Sequence, residues 1–248
     1  MERNLFARNG LLKAVEPTLR PALARRLTVV DLARGDVLYG QGDPVDKVYF
    51  PLRGLVGILA ETTDGQGMNS TIVGREGAVG VFEACGSRQF FAEAVVQVAG
   101  ETAVLSGAAY RDLFNESESI RTAVHQYVEQ LISETRQSVI CQSAHGVEAR
   151  LSRMILEALD RSGAGEVLPL TQETLARMVG TQRTTIAEIL SRLQREAIIS
   201  TRRGSVALED RTGLEALACS CRESDRFVRA AIRAVDVPSC DATLTAAE

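Results

Sequence analysis

No apolar run in this 248-residue sequence approaches the roughly 20 residues that span a bilayer. The amino terminus, MERNLFARNG, lacks the apolar core of a secretory signal. Both absences predict a cytoplasmic protein with no membrane partner. Histidine is scarce, with only His125 and His145, each far from any cysteine pair. The five cysteines, Cys85, Cys141, Cys219, Cys221 and Cys240, are odd in number and lack zinc-finger spacing, so the sequence predicts no metal site and no cofactor. Cys219-Ser220-Cys221 is the one cluster with a redox reading, and a single intervening residue reads more simply as two reduced thiols near a helix end. No nucleophile, base and orienting group stand at a suggestive spacing, which argues against an enzyme. What remains is ordinary for a globular chain: 45% hydrophobic and 24% charged residues, enough for two compact domains.

The most specific segment runs from Leu170 to Ser205. Thr171 is a good N-cap, Leu175, Met178 and Val179 recur on one helical face, and Gly180 permits the positive φ that ends a helix. A second helix follows almost at once. Its inner stripe is Ile186, Ile189, Leu190 and Leu193, which leaves Gln182, Arg183, Thr185 and Glu188 pointing outward. Ile198, Ile199, Val206 and Leu208 are strand-like and bracket the turn Arg202-Arg203-Gly204-Ser205, whose two guanidinium groups suit phosphates. Two tandem short helices followed by a basic hairpin have the layout of a winged helix-turn-helix. Between Thr171 and Ser205 six arginines stand against three glutamates, a local balance of +3 in a chain of net charge −4. The positive charge is concentrated where a duplex would dock.

The amino-terminal half has another texture. Lys47–Phe50, Leu55–Leu59, Ser70–Val73 and Ala94–Val98 are short strand-like runs separated by glycines, the pattern of an antiparallel roll or barrel. Between the two halves, from about Ile120 to His145, Val124, Val128, Leu131, Thr135, Ser138 and Gln142 recur at spacings of three or four, a heptad-like seam. Tyr127, Ile132, Val139 and Ile140 widen its apolar surface. The polar positions of that seam would make a poor monomer core, so it predicts a helix paired with a twin.

Gly35-Asp36-Val37-Leu38-Tyr39, Gly42-Asp43-Pro44, Val48-Tyr49-Phe50 and Gly54-Leu55-Val56 look like the opening strands of a cyclic-nucleotide-binding β-roll. With the helix-turn-helix after them, the chain from about Leu11 to Arg222 resembles the bacterial Crp/Fnr family of transcription regulators. The resemblance implies an α+β fold: a β-roll sensor over residues 1–118, a dimerisation helix over 119–145 and a winged helix-turn-helix over 146–222. Residues 223–248 are left as a tail, able to start with a helical turn or two and polar enough beyond Pro238 for disorder.

The resemblance also implies a homodimer on double-stranded DNA, reading an inverted repeat with two recognition helices roughly 34 Å apart, and RNA polymerase as a further partner. It places Arg183 where the family contacts a guanine, and gives Thr184 and Glu188 at the next reading positions. Thr184 or Thr185 can meet a thymine methyl or a phosphate, and Glu188 either accepts from a cytosine amino group or pairs with Arg192. The expected DNA contacts are thus Thr171, Gln182, Arg183, Thr184, Thr185, Glu188, Arg202 and Arg203. The expected dimer contacts are Val124, Tyr127, Val128, Leu131, Thr135 and Ser138.

Family members that bind cyclic nucleotides hold the phosphate with a glycine-glutamate helix start and an arginine followed by a hydroxyl residue. Here Val81 is aligned with the glutamate, and Ala92 and Glu93 replace the arginine and the hydroxyl residue. The pocket candidates Gly77, Gly80, Val81 and Glu93 therefore predict a sensor that does not take cyclic AMP in the usual way, unless Arg75 or Arg88 rescues the site. No early cysteine set is present for an iron–sulfur cluster, and neither histidine lies on the roll to ligate a haem. The effector is left open. The competing expectation is a ligand-binding or protein-interaction module that has lost DNA affinity.

Overall fold

A computed structural model describes residues 5–61 and 67–234. After a short turn at Phe6–Arg8, helices α1 (Gly10–Lys13) and α2 (Arg20–Ala24) lead into seven strands: β1 (Thr28–Leu32), β2 (Val37–Tyr39), β3 (Lys47–Pro51), β4 (Leu55–Glu61), β5 (Gly67–Val73), β6 (Glu93–Val98) and β7 (Gly100–Ser106). They form two antiparallel sheets, ordered β1-β7-β3 and β2-β6-β4-β5. Val48, Phe50, Val56, Val96, Ala103 and Leu105 fill the space between the sheets, joined by Leu11 and Leu12 from α1. The protein is thus α+β, with an antiparallel roll at its amino-terminal end.

Helices α3 (Gly107–Glu116) and α4 (Glu118–Ala144) follow, then α5 (Val147–Ser162), β8 (Val167–Leu168), α6 (Gln172–Val179), α7 (Arg183–Arg195), β9 (Ile199–Arg202), β10 (Ser205–Leu208), α8 (Arg211–Leu217) and α9 (Cys221–Ala234). Ser117 caps α4 by accepting from the Ile120 amide at 3.3 Å. The helix ends at Ala144 with His145 as its C-cap, and only His145 and Gly146 separate it from α5. No helix among the described residues is long and apolar enough to cross a membrane.

Two packing features position the functional elements. The core of the carboxy-terminal unit, built on Leu151, Ile155, Leu175, Ile186, Leu190 and Leu193, also takes in Leu55, Ile72 and Val98 from the roll. Beside it Arg161, on α5, is 6% exposed and forms ion pairs with Glu134 of α4 at 3.0 Å, Glu76 of the roll at 3.4 Å and Glu157 at 3.8 Å. It also donates to the Ile72 carbonyl at 2.9 Å. Burial opposes its charge, and the three carboxylates override that and hold the guanidinium ionised.

The carboxy-terminal expectation is corrected in part. α9 is a helix of 14 residues rather than a turn or two. It packs along α4, and its Asp225 is buried and ion-paired to Arg153 of α5 at 3.5 Å. The disorder expected beyond Pro238 lies outside the described residues.

Candidate nucleic-acid interface and sensor cavity

Helices α6 and α7 are built as the sequence suggests. The Thr171 hydroxyl accepts from the Thr174 amide at 3.1 Å, and Gly180 closes α6 with φ +69°. Ile186, Leu190 and Leu193 are buried, Ile189 is half-buried, and Gln182, Arg183, Thr184 and Glu188 are exposed on the opposite side. Thr185 is half-buried at the margin of that face. β9 and β10 pair with Arg202 opposite Ser205, so Arg203 and Gly204 form the tip, with Gly204 at φ +78°. β8, which the sequence analysis does not anticipate, adds a third strand against β10.

A groove of about 360 Å³ runs between the start of α7 and this wing. Thr171, Arg183, Arg202 and Arg203 all line it, which brings the expected base-reading arginine and the expected phosphate contacts to one concave surface. The side chains of Arg202 and Arg203 are exposed. Arg192 pairs with Glu148 of α5, so Glu188 is not held by it and the ion-pair alternative for Glu188 is not realised. Thr171 is less free than expected: Arg34 of the roll approaches its hydroxyl at 3.3 Å and the Pro169 carbonyl at 3.2 Å.

The Crp-like helix-turn-helix domain model matches residues 149–217, and the cyclic nucleotide-binding domain model matches residues 29–117. The chain belongs to the Crp/Fnr-type transcription regulators. Like others of this family it is a DNA-binding regulator rather than an enzyme. It is 26% identical over 215 residues to the CRP-like cAMP-activated global transcriptional regulator of Mycobacterium tuberculosis, covering 83% of this chain and 95% of that one. It is 27% identical over 197 residues to the transcriptional regulator SdrP of Thermus thermophilus, covering 76% of this chain and 93% of SdrP. Among solved structures, FixK2 from Bradyrhizobium japonicum shares the fold with a TM-score of 0.67 at 14% identity, over 78% of this chain and 98% of that one.

The sensor half of this Crp/Fnr-type regulator holds a cavity of about 530 Å³ between the roll and α4. Ile58, Val73, Val79 and Phe90 form the roll side, and Val128 and Ile132 the helix side. Of the pocket candidates, Gly80 lines this cavity. Gly77 instead faces Tyr127, where a Cβ would overlap the phenol ring. Val81 is a correction: it is fully buried in the roll core, and Ala78 lines the cavity. Glu93 starts β6 opposite Leu59 and lies off the lining. Neither Arg75 nor Arg88 lines it; Arg75 donates to the Asp160 carbonyl at 3.3 Å.

The cavity instead has an acid that sequence reasoning missed, Glu83, and one cation, Arg136, from α4. Burial pushes the Glu83 carboxyl up to about 7, and its Oε2 has no hydrogen-bond partner. Its only sequence signal is an acid placed among Val81, Phe82 and Ala84. Because the folded value lies above the ordinary glutamate value of about 4.5, the fold is favoured by the proton. That contribution is complete below about pH 4.5 and lost as pH rises through about 7. Glu83→Gln is therefore expected to raise stability at about pH 8 by on the order of 2 kcal/mol and to leave it unchanged at about pH 4. Urea midpoints at the two pH values check this, and an equal change at both would refute it.

The expected dimer contacts divide into two groups. Val124 and Tyr127 are buried, 2% and 4% exposed, against the chain's own roll, so a partner cannot reach them. The first half of α4 lies on the roll and spends its apolar face there. Val128 and Leu131 are half-buried, Thr135 is exposed and Ser138 half-buried. Beside them Ile132, Val139 and Ile140 are 46%, 68% and 55% exposed.

The expectation of no metal-ligand constellation is also corrected. Cys141, His145, Cys219 and Cys221 converge at the end of α4, with their ligand atoms all within 4.8 Å of one another.

Proposed function

We propose that this regulator acts in the cytoplasm as a homodimer on an inverted-repeat operator, under the control of a sensor that does not take cyclic AMP. The observation that carries the DNA reading is the single groove lined by Thr171, Arg183, Arg202 and Arg203. α7 would enter the major groove with Arg183 toward a guanine, and Thr184, Thr185 and Glu188 toward neighbouring bases. Gln182, Arg202 and Arg203 would hold flanking phosphates and fix the register. The dimer reading is supported by the apolar stripe Ile132, Val139 and Ile140, three large side chains left in water along one helix. Val128, Leu131, Thr135 and Ser138 complete that seam.

A sensor blind to cyclic AMP is supported by the lining of the cavity. A cyclic phosphate needs amide or guanidinium donors, and the roll side is mainly apolar, with Ser70, Thr71 and the acid Glu83 as its polar side chains and no guanidinium; the one arginine, Arg136, comes from α4. A ligand that is mainly apolar and carries little charge fits such a wall better. RNA polymerase is the partner through which a bound dimer would act on transcription.

Selection of bound duplexes from a random pool, with wild type and Arg183→Ala in parallel, tests the DNA reading. The expected result is an enriched inverted repeat with a guanine preference that weakens by about 1–3 kcal/mol in the variant. Absence of duplex binding at low salt with any ligand class would instead favour an interaction module.

A further inference from the structure

We propose that Cys141, His145, Cys219 and Cys221 bind one tetrahedral Zn²⁺ ion. The site joins two parts of the fold: Cys141 lies in the last turn of α4 and His145 caps that helix, while Cys219 and Cys221 flank the start of α9. Cys141 Sγ stands 3.6 Å from Cys219 Sγ, and Cys221 Sγ stands 3.4 Å from His145 Nδ1. Metal–sulfur bonds of about 2.3 Å and a metal–nitrogen bond of about 2.0 Å place neighbouring ligands of a tetrahedral ion at ~3.8 Å for two sulfurs and ~3.5 Å for sulfur and nitrogen. Both observed separations are close to those edges. The remaining pairs, all within 4.8 Å, need only side-chain adjustment. Ligand atoms this close leave no room for a multi-iron cluster, whose cysteines stand on different irons.

The surroundings suit a closed structural ion. All three cysteines are buried and His145 is half-buried, which leaves the imidazole as the side from which an ion enters. Gln137 Nε2 donates to Cys221 Sγ at 3.0 Å, the kind of outer hydrogen bond that orients a thiolate ligand. Three thiolates and a neutral imidazole around Zn²⁺ carry a net −1, and binding releases three thiol protons to water. Arg153, held by Glu157 at 2.9 Å, stands near enough to Cys141 and Cys219 to favour their charge. Four protein ligands close the coordination sphere, as in structural rather than catalytic zinc sites. The ion would fasten α9 to the end of α4, beside Gly146, where the chain turns into the DNA-binding unit.

The test uses full-length protein, reduced and handled without oxygen, titrated with Co²⁺ and then with Zn²⁺. One Co²⁺ per chain is expected, with tetrahedral visible bands and thiolate-to-cobalt charge transfer, displaced by one Zn²⁺. Cys85→Ser combined with Cys240→Ser should keep that equivalent, and Cys141→Ser, Cys219→Ser and Cys221→Ser should each lose it. The wild-type cobalt spectrum decides even where a cysteine variant does not fold. An octahedral spectrum without charge transfer, no uptake, or a Cys141–Cys219 disulfide that persists under reductant, found two hydrogens lighter by mass, would overturn the proposal.

Discussion

Arg161→Met is expected to destabilise the protein by about 3–5 kcal/mol. The guanidinium serves Glu76, Glu134 and Glu157 together, and the latter two are 8% and 7% exposed. Removing it leaves three carboxylates in a poorly solvated space with fewer partners: Gln130 donates to Glu134 at 2.8 Å and Arg229 of α9 pairs with it at 3.2 Å, Arg153 donates to Glu157 at 2.9 Å, and the Gly74 amide donates to Glu76 at 3.0 Å. Glu76 loses its cross-element partner altogether. The carboxylates would take up protons or water would enter, and both cost stability. For a chain of this length the loss corresponds to a fall in Tm of roughly 6–20 °C. Arg161→Lys should recover part of it, since one ammonium cannot reach all three acids with the fork of a guanidinium. A fall below about 1 kcal/mol in urea unfolding would mean that the network contributes no more than a surface pair.

Ile186→Ala is expected to cost about 2–5 kcal/mol and to weaken operator binding although no DNA-facing group is touched. Ile186 has no exposed surface and anchors the first turn of α7 against the core of the carboxy-terminal unit. Truncation leaves a void beneath the turn that carries Arg183, so the helix gains freedom where its angle decides the base contacts. Arg183→Ala gives the opposite pattern: stability within about 0.5 kcal/mol of wild type, because the side chain is exposed, and loss confined to DNA binding. Urea midpoints and operator affinities measured on both variants separate anchoring from reading. Equal affinity in Ile186→Ala and wild type would show that α7 is held firmly by its remaining contacts.

Parts of this architecture are legible in the sequence because the signal is local. α6 and α7 carry a cap, a glycine stop and a clean apolar stripe. Strands β3 to β6 announce themselves as apolar runs. β7 does not, although it is the central strand of its sheet, because of its four buried positions only Leu105 is large, and Gly100, Thr102 and Ala103 are small residues that fit a crowded interior with little apolar signal. β1, at an edge of that sheet, has no fully buried position, and its alternation is confined to Val30, Asp31 and Leu32. The length of α9 depends on the surface that α4 offers it, so a propensity argument stops short. The heptad seam of α4 is real in sequence, yet spacing cannot say that Val124 and Tyr127 are taken by the roll. The cysteine cluster is least legible, since Cys141 and Cys219 lie 78 positions apart and no spacing rule spans that distance.

The roll and the DNA-binding unit are divided in the sequence by a long helix, but they share their interior. Leu55, Ile72 and Val98 lie in the core of the carboxy-terminal unit, and the Gly54 and Arg75 amides donate to carbonyls at the end of α5, at 2.8 and 3.1 Å. The border between the two is therefore not a seam of folding. Unfolding either half strips apolar cover from the other, which makes the pair a single cooperative block despite its two architectures. A shift of the roll around its cavity is then transmitted through packed side chains and two backbone hydrogen bonds, with no slack length of chain to absorb it.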